Sequence, residues 1–294
     1  MPLVPTESPY AEVVRFAYVT SGVGEPLDQE MALVARAAED HDVDMVVARW
    51  DDPSVDWDRF DLVVVRSCWD YTERRDEFLS WADSVPRILN SAETLRWNTD
   101  KVYLRELEAA GVRIIPTRWN VGDGDDLGGA AEWVVKPTVS AGSRNTARWD
   151  RPADVRAHSA AIQARGQVSM TQPYIESVDD EGETAMVFFG GQFSHAIRKG
   201  PLLRRSEGVN DARDGRGENR TRIPTERQHR AARRVLDAAE QILGDRLLYA
   251  RVDLVTADDD EPVLIELELT EPYLFLEFAP DGADRLLRAI TAPR

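Results

Sequence analysis

The sequence predicts an α/β protein whose C-terminal part turns to α+β, and three observations carry that prediction. Short apolar runs of strand length alternate with helical periodicity through the first hundred residues, the pattern of an open sheet covered on both faces. Beyond residue 180 the strands follow one another closely, with a Gly190–Gly191 turn between two of them, which reads as antiparallel pairing. The chain has 294 residues, of which 43% are hydrophobic, enough for more than one packed domain.

The elements follow in order. Residues 1 to 10 read as a disordered leader without the basic and apolar regions of a signal peptide. Val13 to Thr20 is a β-rich run of buried-strand length, and Asp28 to Asp40 sets Met31, Val34, Ala35 and Ala38 at helical spacing. Val43 to Ala48 and Leu62 to Val65 are apolar runs typical of parallel strands, so residues 10–97 form a first α/β domain. A helix over Thr99 to Ala110, closed by Gly111, leads into a strand over Val112 to Thr117. Trp133 to Lys136 is a strand entering the small-residue loop SAGSRNT at 140–146. A helix from Pro152 to Arg165 and a strand from Val168 to Ile175 complete a central unit, residues 98–172. The third unit, residues 173–294, holds a hairpin of Thr184 to Phe189 and Phe193 to Arg198, and an amphipathic helix over Thr225 to Leu243. Strands at Leu247 to Val255 and Pro262 to Leu269 and a short helix over Asp284 to Ala289 close it.

Charge and composition narrow the function. With Lys+Arg 36 against Asp+Glu 53 the net charge is −17, which repels nucleic-acid phosphates, and no apolar run approaches the roughly 20 residues that span a bilayer. The single cysteine, Cys68, cannot build a disulfide framework and points to a reducing, cytoplasmic setting, where a buried small residue is its expected role. Only three of the basic residues are lysines: Lys101, Lys136 and Lys199. Lysine is a compact, mobile point charge where arginine is a planar fork, so these three are candidates for places that need an ammonium. No Ser/His/Asp triad is apparent, since His41, His158, His195 and His229 are scattered, and neither GxxxxGK[ST] nor GxGxxG occurs, which removes a dehydrogenase.

Two constellations carry chemistry. Arg251 and Asp253 lie two apart on one expected strand, and Glu266 and Glu268 two apart on the next, so each pair shares a face. On alternation alone this fits a half-exposed strand with a solvated face. If the strands are antiparallel neighbours, three carboxylates converge and repel unless cations sit between them, and such oxygen-rich sites suit Mg²⁺ held together with phosphates. The second constellation is Lys136 with the loop behind it, where the backbone N–H groups around Ser140, Ala141, Gly142 and Ser143 form an anion-binding concavity. The Gly200 to Arg222 segment, with six arginines against four acids and no apolar period, reads as a solvated loop or, placed after Lys199, as an anion-contacting lid.

The order of these features resembles the ATP-grasp ligases. Lys101, Lys136 before a small-residue loop, the hinge strand TQPYIES, Glu183, and the closing Arg251-x-Asp253 and Glu266-x-Glu268 reproduce that layout from about residue 95 to 280. The resemblance implies an N-terminal open α/β domain and two α+β subdomains clamping ATP. Lys101 and Lys136 would contact ATP phosphates and the 140–146 loop would close over them. Gln172, Pro173, Tyr174 and Ile175 would hold adenine through main-chain groups, and Glu183 the ribose. Asp253, Glu266 and Glu268 would hold one or two Mg²⁺ ions, with Arg251 and Lys199 serving phosphoryl transfer. Glu268 stands where the family usually carries Asn, adding a negative charge.

The implied reaction is carboxylate–amine ligation: a carboxylate attacks the γ-phosphate, and an amine displaces phosphate from the acylphosphate. The general look is of the glutathione-synthetase-like branch, acting on a small amino-acid-like carboxylate in biosynthesis, and homodimerisation rests on the resemblance alone. Within it, RSCWDY and LELTEPYL resemble a subgroup whose ligase closes the D-cycloserine ring from O-ureidoserine, an intramolecular alternative. A non-catalytic ATP-binding protein is the other alternative, opposed by the intact Lys136, Asp253 and Glu266. For substrate, Arg66, Trp69 and Asp70 follow the Leu62 to Val65 strand at the edge where open sheets bind ligands. Either Arg66 meets a substrate carboxylate and Asp70 an ammonium, or Arg66 pairs internally with Asp70 while Trp69 and Tyr71 pack in the domain interface. Glu271 and Tyr273 are further candidates.

Overall fold

β1 (Arg15–Thr20) is buried along almost all its length and forms the middle of the first of three sheets. The computed structural model describes residues 13–204, 207–209 and 218–293; the leader expected over residues 1 to 10 lies outside them. β1 pairs in parallel with β2 (Asp44–Arg49) on one side and β3 (Leu62–Ser67) on the other, and β3 pairs with β4 (Ile88–Leu89). Alternation decides the layers. Phe16, Tyr18 and Val64 pack with α1 (Met31–Asp40) on one face, whereas Ala17, Val19, Val63 and Val65 pack with α2 (Arg75–Ser84) on the other. Asp28 caps α1, its Oδ1 accepting from the amides of Glu30 at 2.9 Å and Met31 at 3.2 Å.

The helix expected over Thr99 to Ala110 is shorter: α3 (Ala92–Asn98) ends before it, and α4 (Tyr103–Ala109) begins only at Tyr103. The late start has a cause: the Lys101 amide donates to Thr138 O at 3.0 Å and Asp100 Oδ1 takes the Val102 amide at 3.1 Å, so neither extends a helical ladder. Gly111 takes φ +84 behind α4, the left-handed geometry expected of it. The strand expected over Val112 to Thr117 is reduced to a single bridge between Ile114 and Leu264, because Pro116 has no N–H to continue a ladder.

The second sheet, ordered β5–β8–β6–β7, joins β5 (Arg118–Trp119), β6 (Trp133–Pro137), β7 (Ala147–Trp149) and β8 (Ser169–Pro173), all antiparallel. α5 (Pro152–Gln163) covers it, burying Val155 and Ile162 against Trp133 and Val135. After α6 (Ser177–Asp180) the third sheet runs β11–β10–β9–β12–β13, from β9 (Glu183–Phe189), β10 (Gln192–Lys199), β11 (Arg220–Thr221), β12 (Tyr249–Thr256) and β13 (Pro262–Glu268). β9 and β10 form the expected hairpin. α7 (Glu226–Leu243) begins at Thr225 with a capping box shared with Gln228, and lays Ala232, Val235, Leu236 and Ala239 on the sheet. The opposite face carries Val187, Phe189 and Tyr249 into the core of the first domain, joined there by α8 (Gly282–Thr291).

β13 is an edge strand, and beyond the backbone bridge at Leu264 side chains rather than a further strand satisfy it. Asn98 donates to Leu267 O at 2.8 Å and accepts from Leu269 N at 2.7 Å, and the Tyr103 hydroxyl accepts from Leu267 N at 2.9 Å. α3 and α4 are thereby docked on the strand that carries Glu266 and Glu268. No helix of the described residues is long and apolar enough to cross a membrane.

Candidate functional site

Antiparallel pairing of β12 with β13 sets Arg251 opposite Glu268 and Asp253 opposite Glu266, so the two sequence pairs do meet on one face. One carboxylate oxygen from each of Asp253, Glu266 and Glu268 lies within 4.8 Å of the others. Cations grip them all. Arg251 donates Nε to Asp253 at 2.9 Å and Nη2 to Glu268, and Lys199 reaches Asp253 at 2.8 Å and Glu183 at 2.7 Å. Lys101 stands 3.1 Å from Glu266 and donates to Ser140 O at 2.7 Å.

The balance of burial and charge differs from group to group. Burial opposes ionisation of Asp253, yet Arg251 and Lys199 hold its pKa below the ordinary carboxylate value. Glu266 is lowered likewise, with Lys101 and Lys136 outweighing burial. Glu268 goes the other way: burial, only partly offset by Arg251, and the charge of Glu266 push it up to about 7. The Lys199 ammonium is held above its ordinary value because Asp253 and Glu183 overcome the cost of burial. Lys136 is the exception among the lysines. Its ammonium has no hydrogen-bonding or ion-pair partner among the described residues, and burial, with Lys101 and Lys199 nearby, lowers its pKa.

These groups front one cavity of about 700 Å³ between the second and third sheets. One half is cationic, from Lys101, Lys136, Lys199 and Arg251; the other is an apolar slot of Ile115, Val134, Ile175 and Ile265. The 140–143 loop borders the cationic half, with Gly142 at φ +62 and Ser143 at φ +58, consecutive left-handed residues. Gln172, Pro173 and Tyr174 border the slot. Glu132 O accepts the Tyr174 amide at 2.9 Å, and the Arg148 guanidinium lies 3.3 Å over the Tyr174 ring. Glu183 reaches the wall because Gly182 precedes it: a Cβ there would sit 2.3 Å from Lys199 O.

The oxygen-only set of Asp253, Glu266 and Glu268 fits a hard divalent cation such as Mg²⁺. A triphosphate fits the cationic half and a flat base the slot, and the partnerless Lys136 ammonium is the group such a ligand would satisfy.

Every expected nucleotide-site residue except Asp253 lies on the cavity wall; Asp253 has no exposed surface and sits beneath Arg251 and Lys199. Trp69, Glu271 and Tyr273 also line the wall, but two of the substrate candidates do not. Arg66 is buried and pairs with Glu30 at 2.9 Å, so it contacts neither the cavity nor Asp70. Asp70 faces inward and accepts from Trp50 Nε1 at 3.1 Å. Of the 200–222 segment, Leu202, Leu203 and Asn219 border the cavity, and residues 205–206 and 210–217 lie outside the described residues. None of the four histidines lines the cavity, and Cys68 is buried. The apolar slot went unread in the sequence because strand Ile and Val residues look like core. Glu30 carried no signal beyond a place in the first turn of a helix.

A family model for the N-terminal domain of D-cycloserine synthetase DcsG matches residues 16–90. The cycloserine biosynthesis protein DcsG of Streptomyces lavendulae is 37% identical over 289 residues, covering 93% of this chain and 97% of the relative. The crystal structure of D-cycloserine synthetase DcsG aligns with a TM-score of 0.85 at 37% identity, across 94% of this chain and 98% of that one. D-Alanine–D-alanine ligase from Bacillus anthracis complexed with ATP shares the fold, with a TM-score of 0.60 at 15% identity over 95% and 96% of the two chains.

Proposed function

The chain belongs to the D-cycloserine synthetase family of ATP-grasp ligases, and from that premise we propose that it uses Mg·ATP to close a ring within one small amino-acid-like molecule, with O-ureidoserine as the expected substrate. The observation that carries this reading is the convergence of four cations with Glu266 and Glu268, backed by the buried Asp253, on one cavity whose wall at Trp69, Glu271 and Tyr273 is aromatic and acidic. A phosphoryl-transfer site and an amino-acid site then share one space.

The chemistry falls to the residues in turn. Lys101 and Lys136 hold the phosphates while the 140–143 amides cover them, and the slot of Ile115, Val134, Ile175 and Ile265 excludes water around the base. Asp253, Glu266 and Glu268 would hold Mg²⁺, which, when bound, neutralises charge on the β- and γ-phosphates. The substrate carboxylate attacks the γ-phosphorus and ADP leaves, with Arg251 and Lys199 facing the charge that develops on the transferred group. A nitrogen of the same molecule then attacks the acyl carbon, the C–O bond to phosphate breaks, and phosphate departs. Burial, then the charge of Glu268, push Glu271 to about 8, and its carboxyl has no hydrogen-bond partner among the described residues. It is therefore placed and poised to take the proton that the attacking nitrogen loses.

ADP release with O-ureidoserine as the sole acceptor tests the reading. Release with that one compound, together with a cyclic product, is expected. Release only with two different compounds, as when two amino acids are joined, would replace ring closure by intermolecular ligation.

A further inference from the structure

Five consecutive carbonyls, from Thr270 to Leu274, each meet a side-chain donor, the donors coming from three stretches of chain around residues 66–69, 195 and 249–251. Tyr249 OH lies 2.8 Å from Thr270 O, Trp69 Nε1 3.3 Å from Glu271 O, and Arg66 Nη2 3.1 Å from Pro272 O. Arg251 Nη1 donates to Tyr273 O at 2.9 Å, and His195 Nε2 to Leu274 O at 2.7 Å. The amides beyond are taken by one carboxylate: Glu30 Oε2 accepts from Leu274 N at 3.0 Å, and Oε1 from Leu276 N at 3.0 Å. The segment leaves β13 directly behind Glu268 and carries Glu271 and Tyr273 to the cavity wall. It also contains Phe275 at φ +56, a conformation that L side chains rarely adopt and that persists only where the surroundings impose it.

We propose that the buried Glu30–Arg66 pair is a positioning device for substrate selection: it fixes the main chain of residues 272–276 and so the placement of Glu271 and Tyr273 against the substrate. Glu30 and Arg66 are only 1% and 2% exposed. Two charges removed from water are costly, and apolar residues of the same volume often serve stability as well, so stability alone does not account for the pair. Both oxygens of Glu30 and Nη2 of Arg66 are spent on the main chain of this one segment. Neither residue touches the cavity, so neither is a catalytic residue. The device joins two domains, because Glu30 and Arg66 belong to the first sheet's domain whereas Arg251, on the third sheet, holds both Tyr273 O and Asp253. Displacing the segment therefore moves the substrate wall, while Lys136 on β6, the β8 end and the 140–143 loop, to which none of these hydrogen bonds runs, stay in place and Arg251 keeps its hold on Asp253.

The inference rests on the ring-closing reading for its substrate, and the test separates the two. In Glu30→Gln the amide NH₂ faces a backbone N–H where an oxygen stood, at equal volume. Amide hydrogen exchange of the ligand-free protein should show the 270–277 peptide exchanging at least tenfold faster while β12 and β13 keep their protection. ATP affinity by calorimetry should stay within twofold, and kcat/KM for O-ureidoserine should fall at least tenfold, with KM for ATP unchanged. Arg66→Lys, which keeps the charge but loses the fork, should show the same split to a smaller degree. Unchanged exchange in 270–277, or loosening with no change in kcat/KM, or equal loss of both substrates would overturn the proposal. If the unaltered protein fails to turn over O-ureidoserine, the functional reading falls, and exchange in 270–277 still decides whether the pair positions the segment.

Discussion

Lys199 on β10 and Asp253 on β12 meet at 2.8 Å although β9 runs between their strands. The ammonium also holds Glu183 on β9, so three strands of the third sheet are tied at the point where phosphates are expected. Asp253 has no exposed surface, and this tie together with Arg251 is what keeps it ionised.

Replacing Lys199 with Met therefore leaves Asp253 with Arg251 as its one ion-pair partner, and Glu183 with none, among the described residues. Removing one partner of a buried pair costs about 3–5 kcal/mol, which should appear as a lower Tm. Mg²⁺ should raise the Tm of this variant more than that of the parent protein, since the ion takes up charge that the lysine had balanced. Differential scanning calorimetry with and without Mg²⁺ checks both.

Lys136 predicts the opposite. Its half-buried ammonium faces the cavity without a hydrogen-bond or ion-pair partner among the described residues, and burial lowers its pKa, so Lys136→Met should leave the Tm unchanged or raise it. ATP affinity should drop by about 10–100-fold, the worth of one charge-assisted hydrogen bond of about 1.5–3 kcal/mol. Titration calorimetry with ATP measures the second effect and thermal melting the first.

Glu266→Gln removes one charge from the carboxylate cluster and the counter-ion of Lys101. Turnover should fall by at least about 100-fold, as for loss of a group that stabilises charge in the transition state, while circular dichroism stays native. Full activity in this variant would remove Glu266 from any metal site.

The pH dependence follows from Glu271, pushed from an ordinary 4.5 up to about 8 by burial first and by Glu268 next. A raised carboxyl pKa keeps the group neutral below about 8. As a base it should give a kcat/KM that rises with pH to a plateau above about 8, and Glu271→Gln should remove that limb. The same group binds its proton more tightly folded than unfolded, so its contribution to stability is present at low pH and lost as pH rises from about 4.5 to about 8. Glu271→Gln should flatten that slope in urea titrations.

Much of the site was legible because strands alternate. LIELEL and the Arg251-x-Asp253 pair fix which side chains share a face, and pairing β12 with β13 needs no further information to bring them together. Lys136 and the 140–143 loop were legible for a similar local reason, a strand ending in small residues. What stayed hidden depends on contacts far apart in sequence. From its place at the end of a sheet strand Arg66 reads either as a substrate anchor or as an internal partner of Asp70, and only the folded chain reveals Glu30, 36 positions away, as its partner. The helix expected from Thr99 begins only at Tyr103 because the Lys101 amide finds Thr138 O, and β7 was missed because three residues carry too little pattern. β1 and β3 were legible because burial on both faces leaves uninterrupted apolar runs, whereas β2 is a partly exposed edge strand and the two-residue β4 left no pattern to read.

The most direct test of the account follows the oxygen. With substrate labelled by ¹⁸O in its carboxylate, turnover with Mg·ATP should place one ¹⁸O in each phosphate released, seen as an isotope shift in ³¹P NMR, because the acyl oxygen leaves with the transferred phosphoryl group. ADP formation with wholly unlabelled phosphate would mean that water, not the carboxylate, attacks the γ-phosphate, and would contradict ligation through an acylphosphate at this site.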